Sequence, residues 1–226
     1  MSNPTPPLPS VTISDTNSVI LLGHYGGDES HAQSAWTSTR RGLSPEKVNR
    51  IPEFLKNLAD NGHHTPFEKS SLHFLVTAEV ASRIHLLKHR IGVSINEESP
   101  RYKRLREPSF YIPRDWSEES KEQARSLYNQ ADQTYRDILA REEKNLGLKR
   151  AKESSRFCLP YGVQTTGDVM FNFRSFMHFC GLRVSDHAQV EIRNIGRNML
   201  GLILGLPGNP FRFSIDAFRH TALKGF

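Results

Sequence analysis

Side chains that could bind an anion and act on a heterocycle are concentrated between residues 88 and 103. Lys88, His89 and Arg90 follow directly on an apolar segment. The chain then continues as IGVSINEESPRYK, with Arg101 and Lys103 near the end of this stretch. A solvated surface turn has this composition, and so does a phosphate-binding loop. The surrounding sequence has to separate the two.

Arginines in the C-terminal half are further candidate phosphate ligands. Arg156 precedes a Leu-Pro pair, Arg174 follows Asn172 by two residues, and Arg183 ends the segment SFMHFCGLR. A guanidinium is the best side-chain fork for phosphate and for the edge of a heterocycle. Arg174 and Arg183 are nine residues apart, so they would not share one face of a straight helix. We expect them to flank a ligand from different directions.

The overall charge also points to an anionic partner. The 226-residue chain carries a formal net charge of +6 and has a pI near 9.4. Its basic residues form short clusters beside polar and acidic groups rather than one long tract. This arrangement favours a small phosphorylated ligand over a continuous nucleic-acid backbone, and nucleic-acid binding stays open as an alternative.

The motifs of several common chemistries do not occur in the sequence. It contains no phosphate loop of the Walker type and no Gly-x-Gly-x-x-Gly turn. Cysteine pairs and His-Glu-x-x-His spacing are also missing, and adjacent His63 and His64 would point to opposite faces of an extended segment. We therefore predict no metal site. Cys158 and Cys180 have apolar neighbours, which raise a thiol pKa, so we expect a mechanism without a cysteine nucleophile.

The apolar patterns along the chain predict the helices and strands that must position these groups. Together they indicate one α+β domain, with a mixed or antiparallel sheet packed against helices. Strands are predicted within 11–26, 71–78 and 162–174, the first and last bounded by glycine or arginine. Ser44 and Pro45 begin a helix that should end at Asn61-Gly62. Further helices are predicted at 31–39, 80–90, 115–145, 149–159, 175–183 and 185–204. The basic triplet falls at the end of the helix that begins at Val80, where cations complement the helix dipole.

Composition also gives expectations for the first residues of the chain, the extent of the domain and the cellular compartment. Residues 1–10 are rich in proline and predict a loose leader, with one domain over residues 11–226. No apolar run approaches the roughly 18–20 residues of a membrane span, and the first residues lack a signal-peptide pattern. Two isolated cysteines fit a reducing compartment, so we expect a cytoplasmic protein.

Taken together, these segments resemble the flavin-dependent thymidylate synthases. That family usually reads RHR…SxNExSxRY, and here KHR is followed by IGVSINEESPRY. The matching residues after the triplet are Ser94, Asn96, Glu97, Ser99, Arg101 and Tyr102. The segments HHTPFE, FYIP, SRFCLP, NFRSFMHFCGLR and HAQVEIR follow in the family's order over roughly residues 60–220.

The resemblance implies roles for particular positions. Positions that hold FAD in the family correspond to Thr65, Lys88, His89, Arg90, Glu97, Asn172, Arg174 and His178. Positions that face the nucleotide correspond to His85, Lys88, Glu97, Glu98, Ser99, Pro100, Arg101, Arg156 and Arg183. Arg183 matches the residue credited with ionising N3 of the uracil ring. A guanidinium beside the ring edge would stabilise the N3 anion and enrich C5 for attack.

The implied reaction is the reductive methylation of dUMP at C5. The resemblance implies methylenetetrahydrofolate as the carbon donor, NADPH as the reductant of FAD, and the reduced flavin as the hydride source. It also implies a homotetramer whose active sites draw residues from several subunits. No membrane partner and no nucleic acid are expected.

Three departures from the family pattern lie on the nucleotide side. Lys88 stands where the family has arginine, His85 where it has glutamine, and Pro100 where glycine is common. Lysine keeps the charge but loses the planar fork, and histidine can titrate near neutral pH. The substrate is therefore open between dUMP and UMP, since the resemblance extends to a UMP-methylating branch in nucleoside-antibiotic biosynthesis. A member of the family that binds nucleotide without turnover is the other alternative.

Overall fold

A five-stranded antiparallel sheet forms the centre of the domain. The computed structural model describes residues 8–39, 41–99 and 109–223. The strands are β1 Ser10–Thr12, β2 Ser18–Tyr25, β3 Ser71–Glu79, β4 Val93–Glu97 and β5 Gln164–Asn172. They pair in the order β1-β2-β3-β5-β4, with every neighbouring pair antiparallel. The predicted α+β fold is confirmed, while the boundaries of the leader and the domain stay a prediction.

Helices lie before, between and after the strands. They are α1 Asp28–Trp36, α2 Pro45–Asn49, α3 Ile51–Asp60, α4 Val80–Leu87, α5 Glu118–Leu146, α6 Leu148–Ser155, α7 Phe173–Arg183, α8 Val190–Leu204 and α9 Arg212–Ala217. Short 3₁₀ turns cover Thr65–Glu68 and Arg156–Cys158. No helix in the described ranges is both long and apolar enough to cross a membrane.

One face of the sheet is buried and the other is half exposed. Side chains of β3 alternate, so that Leu72, Phe74 and Val76 are fully buried while their neighbours are partly open. Phe74 stacks on Phe176 of α7 with ring centroids 5.6 Å apart, and Phe171 of β5 meets the same ring. We call the buried side the inner face, and α7 and α8 cover it.

Three elements differ from the sequence-based expectation. The helix predicted from Ser44 to Asn61 divides into α2 and α3, because Pro52 has no N–H to donate to the carbonyl of Val48. Val48, on the short helix α2, is 41% exposed. Strand β4 was not predicted, since polar side chains fill most of its five positions. Helix α9 is too short to show a periodic pattern.

The long helix α5 closely follows its predicted range of 115–145. Ser117 caps its start by accepting a hydrogen bond from the backbone N–H of Ser120, and Gly147 ends it with φ of 78°. Tyr135 and Leu139 are buried as the spacing predicts, whereas Leu127 is 56% exposed. The helix contacts α6 and the turn before Pro160, so it lies beside the central sheet rather than on it.

A chain of buried polar groups joins α1 to α9. The Oγ of Ser214 donates to Asp28, which also accepts the backbone N–H groups of Phe213 and Ser214 at 2.9 and 2.7 Å. Because the Ser214 proton is used in this way, Nδ1 of His31 donates to Ser214 Oγ (2.8 Å) and Nε2 accepts from Ser70 Oγ (2.7 Å). Burial lowers the pKa of His31 to about 3. We call Asp28, His31, Ser70 and Ser214 the interior network.

Candidate active site

The basic triplet lies where α4 ends and turns into β4. Lys88 is the C-cap residue of α4, and Gly92, with φ of 65°, reverses the chain direction. A side chain at Gly92 would collide with Asn172 and Ser175, so glycine lets the start of α7 pack against this turn. The backbone N–H of Asn172 also donates to the Gly92 carbonyl at 2.9 Å. The triplet and the start of α7 are therefore neighbours.

The other end of α7 carries Arg183 into contact with two histidines. Its Nε donates to Nε2 of His89 at 3.1 Å, and its Nη1 is 3.4 Å from Nδ1 of His85. Burial lowers the pKa of His89 to about 4, with further lowering from Arg183 and His178. A guanidinium can only donate, so each contacting ring nitrogen acts as an acceptor. The two imidazole rings thus fix the direction of the Arg183 guanidinium.

The first turn of α7 carries Arg174 toward a different group. Its Nη1 lies 2.5 Å from Oε1 of Glu68, the last residue of the 3₁₀ turn that begins at Thr65. This ion pair connects the HHTPFE segment to α7. Arg174 and Arg183 lie about 14 Å apart along the helix. Arg174 and Arg183 contact different groups on different sides of the helix, as their spacing predicts.

A cavity of about 620 Å³ gathers four of the residues predicted to bind the nucleotide. Glu97, Glu98 and Ser99 line it from the end of β4, and Arg156 lines it from the 3₁₀ turn before Pro160. Much of the remaining wall is apolar and comes from Val80, Ile84, Leu87, Phe157, Leu159, Pro160, Tyr161 and Val163. A wall of this kind suits a ligand with a flat apolar ring and an anionic group.

Sequence reasoning missed Arg83, which lines the same cavity. Its side chain is 2% exposed and forms an ion pair with Glu97, to which its Nε also donates at 3.1 Å. The guanidinium lies where a side chain on Gly167 would stand, and Gly167 pairs with Glu97 in the sheet register. We call Arg83 and Glu97 the cavity pair. No local pattern marks an arginine on α4 as buried, since only the tertiary fold brings Gly167 beneath it.

The remaining predicted residues divide into two groups. Lys88, Arg90, Arg174 and His178 are exposed around the ends of α4 and α7, and Thr65 lies in the 3₁₀ turn. Pro100 and Arg101 lie outside the described residues. The structure thus brings together a cavity group and a group around α7, and the ligand role of each residue stays a prediction.

A larger cavity of about 860 Å³ lies at the start of α1, lined by Gly27, Arg41 and Lys69 among others. None of the predicted site residues within the described ranges lines it. We place the candidate nucleotide site in the smaller cavity, because residues predicted to face the nucleotide line it. The volume of a cavity alone does not indicate what it binds.

Neither thiol is prepared for nucleophilic attack. Cys180 is fully buried in the core, and burial raises its pKa well above the ordinary range. Burial also raises the pKa of Cys158, whose Sγ donates to the carbonyl of Ser155 at 3.0 Å. The thiolate is the nucleophilic form, so both pKa shifts disfavour nucleophilic attack.

Comparison with protein families gives a match over most of the chain. Residues 20–205 match the family described as thymidylate synthase complementing protein. The chain belongs to this family. A flavin-dependent thymidylate synthase of Streptomyces avermitilis is 31% identical over 206 residues, covering 80% of this chain and 83% of that protein. One of Thermosipho africanus is 30% identical over 226 residues, covering 94% and 95%. The expectation of an enzyme of the flavin-dependent thymidylate synthase type is confirmed.

A solved structure shares the fold. The crystal structure of a UMP/dUMP methylase, PolB from Streptomyces cacaoi bound with 5-Br UMP, aligns with a TM-score of 0.75. The alignment covers 92% of this chain and 96% of that chain at 24% sequence identity. At this identity the likeness concerns the arrangement of helices and strands.

The hydrogen-bond donors around α7 fit a flavin, the cofactor that the names of the relatives mention. Lys88, Arg90 and Arg174 are exposed cations at the two ends of α4 and α7, where phosphate groups could reach them. Asn172 uses Oδ1 to cap α7 by accepting from the Ser175 N–H at 2.8 Å, which leaves its amide N–H groups as donors.

Proposed function

We propose that this protein methylates C5 of a uridine monophosphate, with dUMP as the physiological substrate. The observation that carries the proposal is the convergence of Glu97, Glu98, Ser99 and Arg156 on one cavity. These positions were assigned to the nucleotide from motifs that lie some 60 residues apart in the sequence. Because these residues line one cavity, a single ligand can contact all of them, which supports the proposal.

In this proposal Arg183, which lies outside the lining of the 620 Å³ cavity, acts on the uracil ring of a nucleotide that extends beyond that cavity. Its Nε and Nη1 are directed toward His89 and His85, so Nη2 is left for the ring edge. A fixed positive charge beside N3 stabilises the deprotonated ring without reorganisation during the reaction. Loss of the N3 proton raises electron density at C5, which becomes the nucleophile. This route needs no enzyme thiol, in agreement with the buried Cys180.

The bound cofactor is proposed to be FAD, held by Thr65, Lys88, His89, Arg90, Glu97, Asn172, Arg174 and His178. The flavin supplies the hydride chemistry, while the protein aligns the rings and neutralises phosphate charge. Glu68 joins this group, because its ion pair with Arg174 fixes the arginine at the start of α7. Methylenetetrahydrofolate as carbon donor and NADPH as reductant complete the proposal.

UMP is the second candidate substrate. Lys88 replaces the fork of an arginine by a point charge, which changes a contact on the nucleotide side. The structural neighbour with a TM-score of 0.75 is named for action on both UMP and dUMP. The 2′-position of the sugar distinguishes the two candidates.

We further propose that the enzyme works as a homotetramer with shared active sites. Large apolar side chains are exposed beside the site, including Ile91 at 90% and Phe157 at 79%. Tyr161 and Leu182 add to this surface at 65% and 51%. Such patches are typical of surfaces that a second subunit covers. Light scattering on the purified protein would give the mass, and a monomer of 25.7 kDa would contradict this part.

The decisive experiment combines spectroscopy with product analysis. The purified protein should show the visible absorbance of an oxidised flavin, either as isolated or after addition of FAD. NADPH oxidation with methylenetetrahydrofolate should then depend on the uridine nucleotide, and dUMP and UMP should be supplied in parallel. The C5-methylated product should be identified by mass spectrometry.

Controls separate the catalytic claim from simple binding. Arg183→Ala should lower turnover by about 100-fold or more, whereas the exposed Arg219→Ala, which pairs with Asp216 on α9, should match the parent. A protein that takes up no flavin, or that oxidises NADPH without forming methylated nucleotide, would contradict the proposed function. Equal turnover of UMP and dUMP would overturn dUMP as the single substrate.

A further inference from the structure

Arg83 is a buried cation whose contacts are all provided from within the protein. Its side chain is 2% exposed, and its Nε and Nη2 both donate to Oε1 of Glu97. Its Nη1 has no acceptor among the described residues. A buried guanidinium is costly to desolvate, so one that is retained needs a compensating role. Stability alone does not explain this residue.

The cavity supplies such a role, because two carboxylates in its wall carry the same sign of charge as the proposed ligand. Glu97 and Glu98 line the cavity that also holds Ser99 and Arg156. A nucleoside monophosphate brings up to two negative charges into the same space. Glu97 is 38% exposed, so solvent screens part of its charge and the remainder acts on a ligand in the cavity. Without a neighbouring cation, this carboxylate would repel the phosphate.

We propose that Arg83 is a positioning residue that neutralises Glu97 and fixes its carboxylate, so that the cavity accepts a phosphate monoester. This inference rests on the proposed function and extends it to a residue that carries no motif. Arg83 does not contact the ligand in this role. Its effect passes through Oε1 of Glu97, which leaves Oε2 available to the ligand.

Gly167 provides the space that this arrangement needs. A Cβ at this position would meet the Nη1, Nη2 and Cζ atoms of Arg83. The atoms in conflict belong to the end of a flexible side chain, so alanine at 167 would displace the guanidinium rather than break β5. Gly167→Ala therefore disturbs the cavity pair without changing either of its charges.

The experiment measures binding of dUMP and of deoxyuridine, which lacks the phosphate, to the flavin-loaded protein by calorimetry. Arg83→Gln should weaken dUMP binding by at least about tenfold, because an uncompensated carboxylate then faces the phosphate. Deoxyuridine binding should change by less than about threefold. Adding Glu97→Gln to Arg83→Gln removes the repelling charge and should raise dUMP affinity at least about threefold above that of Arg83→Gln alone, short of the parent value because Glu97 itself faces the ligand.

Two further variants keep the test independent of folding. Gly167→Ala should weaken dUMP in the same direction as Arg83→Gln and to a smaller extent. Arg125→Gln removes one positive charge from an exposed position on α5 and should leave both affinities unchanged, which controls for net charge. Thermal unfolding of each variant checks that it is folded.

The outcomes distinguish this inference from the proposed function. Unchanged dUMP affinity in both Arg83→Gln and Gly167→Ala would overturn the inference while the parent still binds and turns over nucleotide. A double variant no better than Arg83→Gln alone would also overturn it, since a purely structural role is not rescued by removing the partner charge. A parent protein that binds neither dUMP nor UMP would overturn both proposals.

Discussion

The interior network and the cavity pair are two of the clusters of buried polar groups in the described residues, and they differ in how fully their hydrogen bonds are satisfied. In the interior network both ring nitrogens of His31 and both oxygens of Asp28 have partners. In the cavity pair, Nη1 of Arg83 has no acceptor within the described residues, and Glu97 is partly open to the cavity. A fully satisfied network rigidifies a core, whereas the cavity pair keeps an oxygen of Glu97 available to a ligand. This contrast distinguishes buried polar groups that stabilise the fold from those that serve a ligand site.

The largest effect is expected on the interior network. Asp28→Ala leaves the N–H groups of Phe213 and Ser214 and the Ser214 hydroxyl without their acceptor. We expect a loss of about 3 kcal/mol in the free energy of unfolding, because buried donors to a carboxylate are left unsatisfied. Urea denaturation of the apoprotein would measure it. The exposed neighbour Glu29→Ala is the control, and equal losses in both variants would contradict the role of the network.

A smaller loss of stability is expected at the cavity pair. Glu97→Gln leaves Arg83 buried with a weaker acceptor, and we expect a cost of about 2 kcal/mol, discounted because Glu97 is 38% exposed. Adding Arg83→Gln should recover more than half of this cost, since the buried charge is then gone. Asp28→Ala would gain nothing from the same addition. The comparison fails if Glu97→Gln destabilises the protein more than Asp28→Ala does.

The pH dependence of stability sharpens the comparison at His89. The folded protein keeps His89 neutral down to a pKa of about 4, while the unfolded chain takes up this proton near 6.5. Between these values the unfolded state binds more protons, so the free energy of unfolding falls as the pH is lowered from about 6.5 to about 4. The slope for one histidine is at most about 1.4 kcal/mol per pH unit. His31 adds a slope of the same sign.

Unfolding curves of the apoprotein at several pH values, for the parent and for His89→Gln, would isolate the contribution of His89. The variant should lose the slope of one proton and keep that of His31. Parallel curves would show that His89 is protonated alike in both states, and the buried contact with Arg183 would then need another explanation.

The smallest effect is expected at the rim of the site. Lys88→Arg restores a planar fork at the end of α4, and we expect dUMP to be used at about threefold lower KM with kcat little changed. Steady-state kinetics with dUMP and with UMP would measure the change. Lys149→Arg, on the surface of α6, is the matched control. A rise in KM would indicate that the site is built around the lysine.

Local sequence rules predicted most of the elements and the placement of the motifs. Alternation in β3, the cap at Ser44 and the apolar stripe of α5 all depend on neighbours within a few residues. The motif match identified Arg183, His85 and His89 individually as candidate site residues. It did not predict the hydrogen bonds of Arg183 to the two histidines.

Apart from the helix break at Pro52, the features that escaped prediction depend on distant parts of the chain. Strand β4 forms because it can pair with β5, some 70 residues later. Arg83 is buried because Gly167 leaves space for it, and no pattern around Arg83 contains that information. The interior network likewise needs α9, which is too short to be recognised by periodicity. Pairing across long separations is what local propensity cannot report.

The link between Asp28 and Ser214 spans 186 residues, and this has a consequence for biosynthesis. Until Ser214 and the rest of α9 have been synthesised, the imidazole of His31 and the carboxylate of Asp28 lack hydrogen-bond partners that they have in the folded protein. We therefore expect α1 to pack stably only after α9 has been synthesised, which delays the final compaction of the nascent polypeptide.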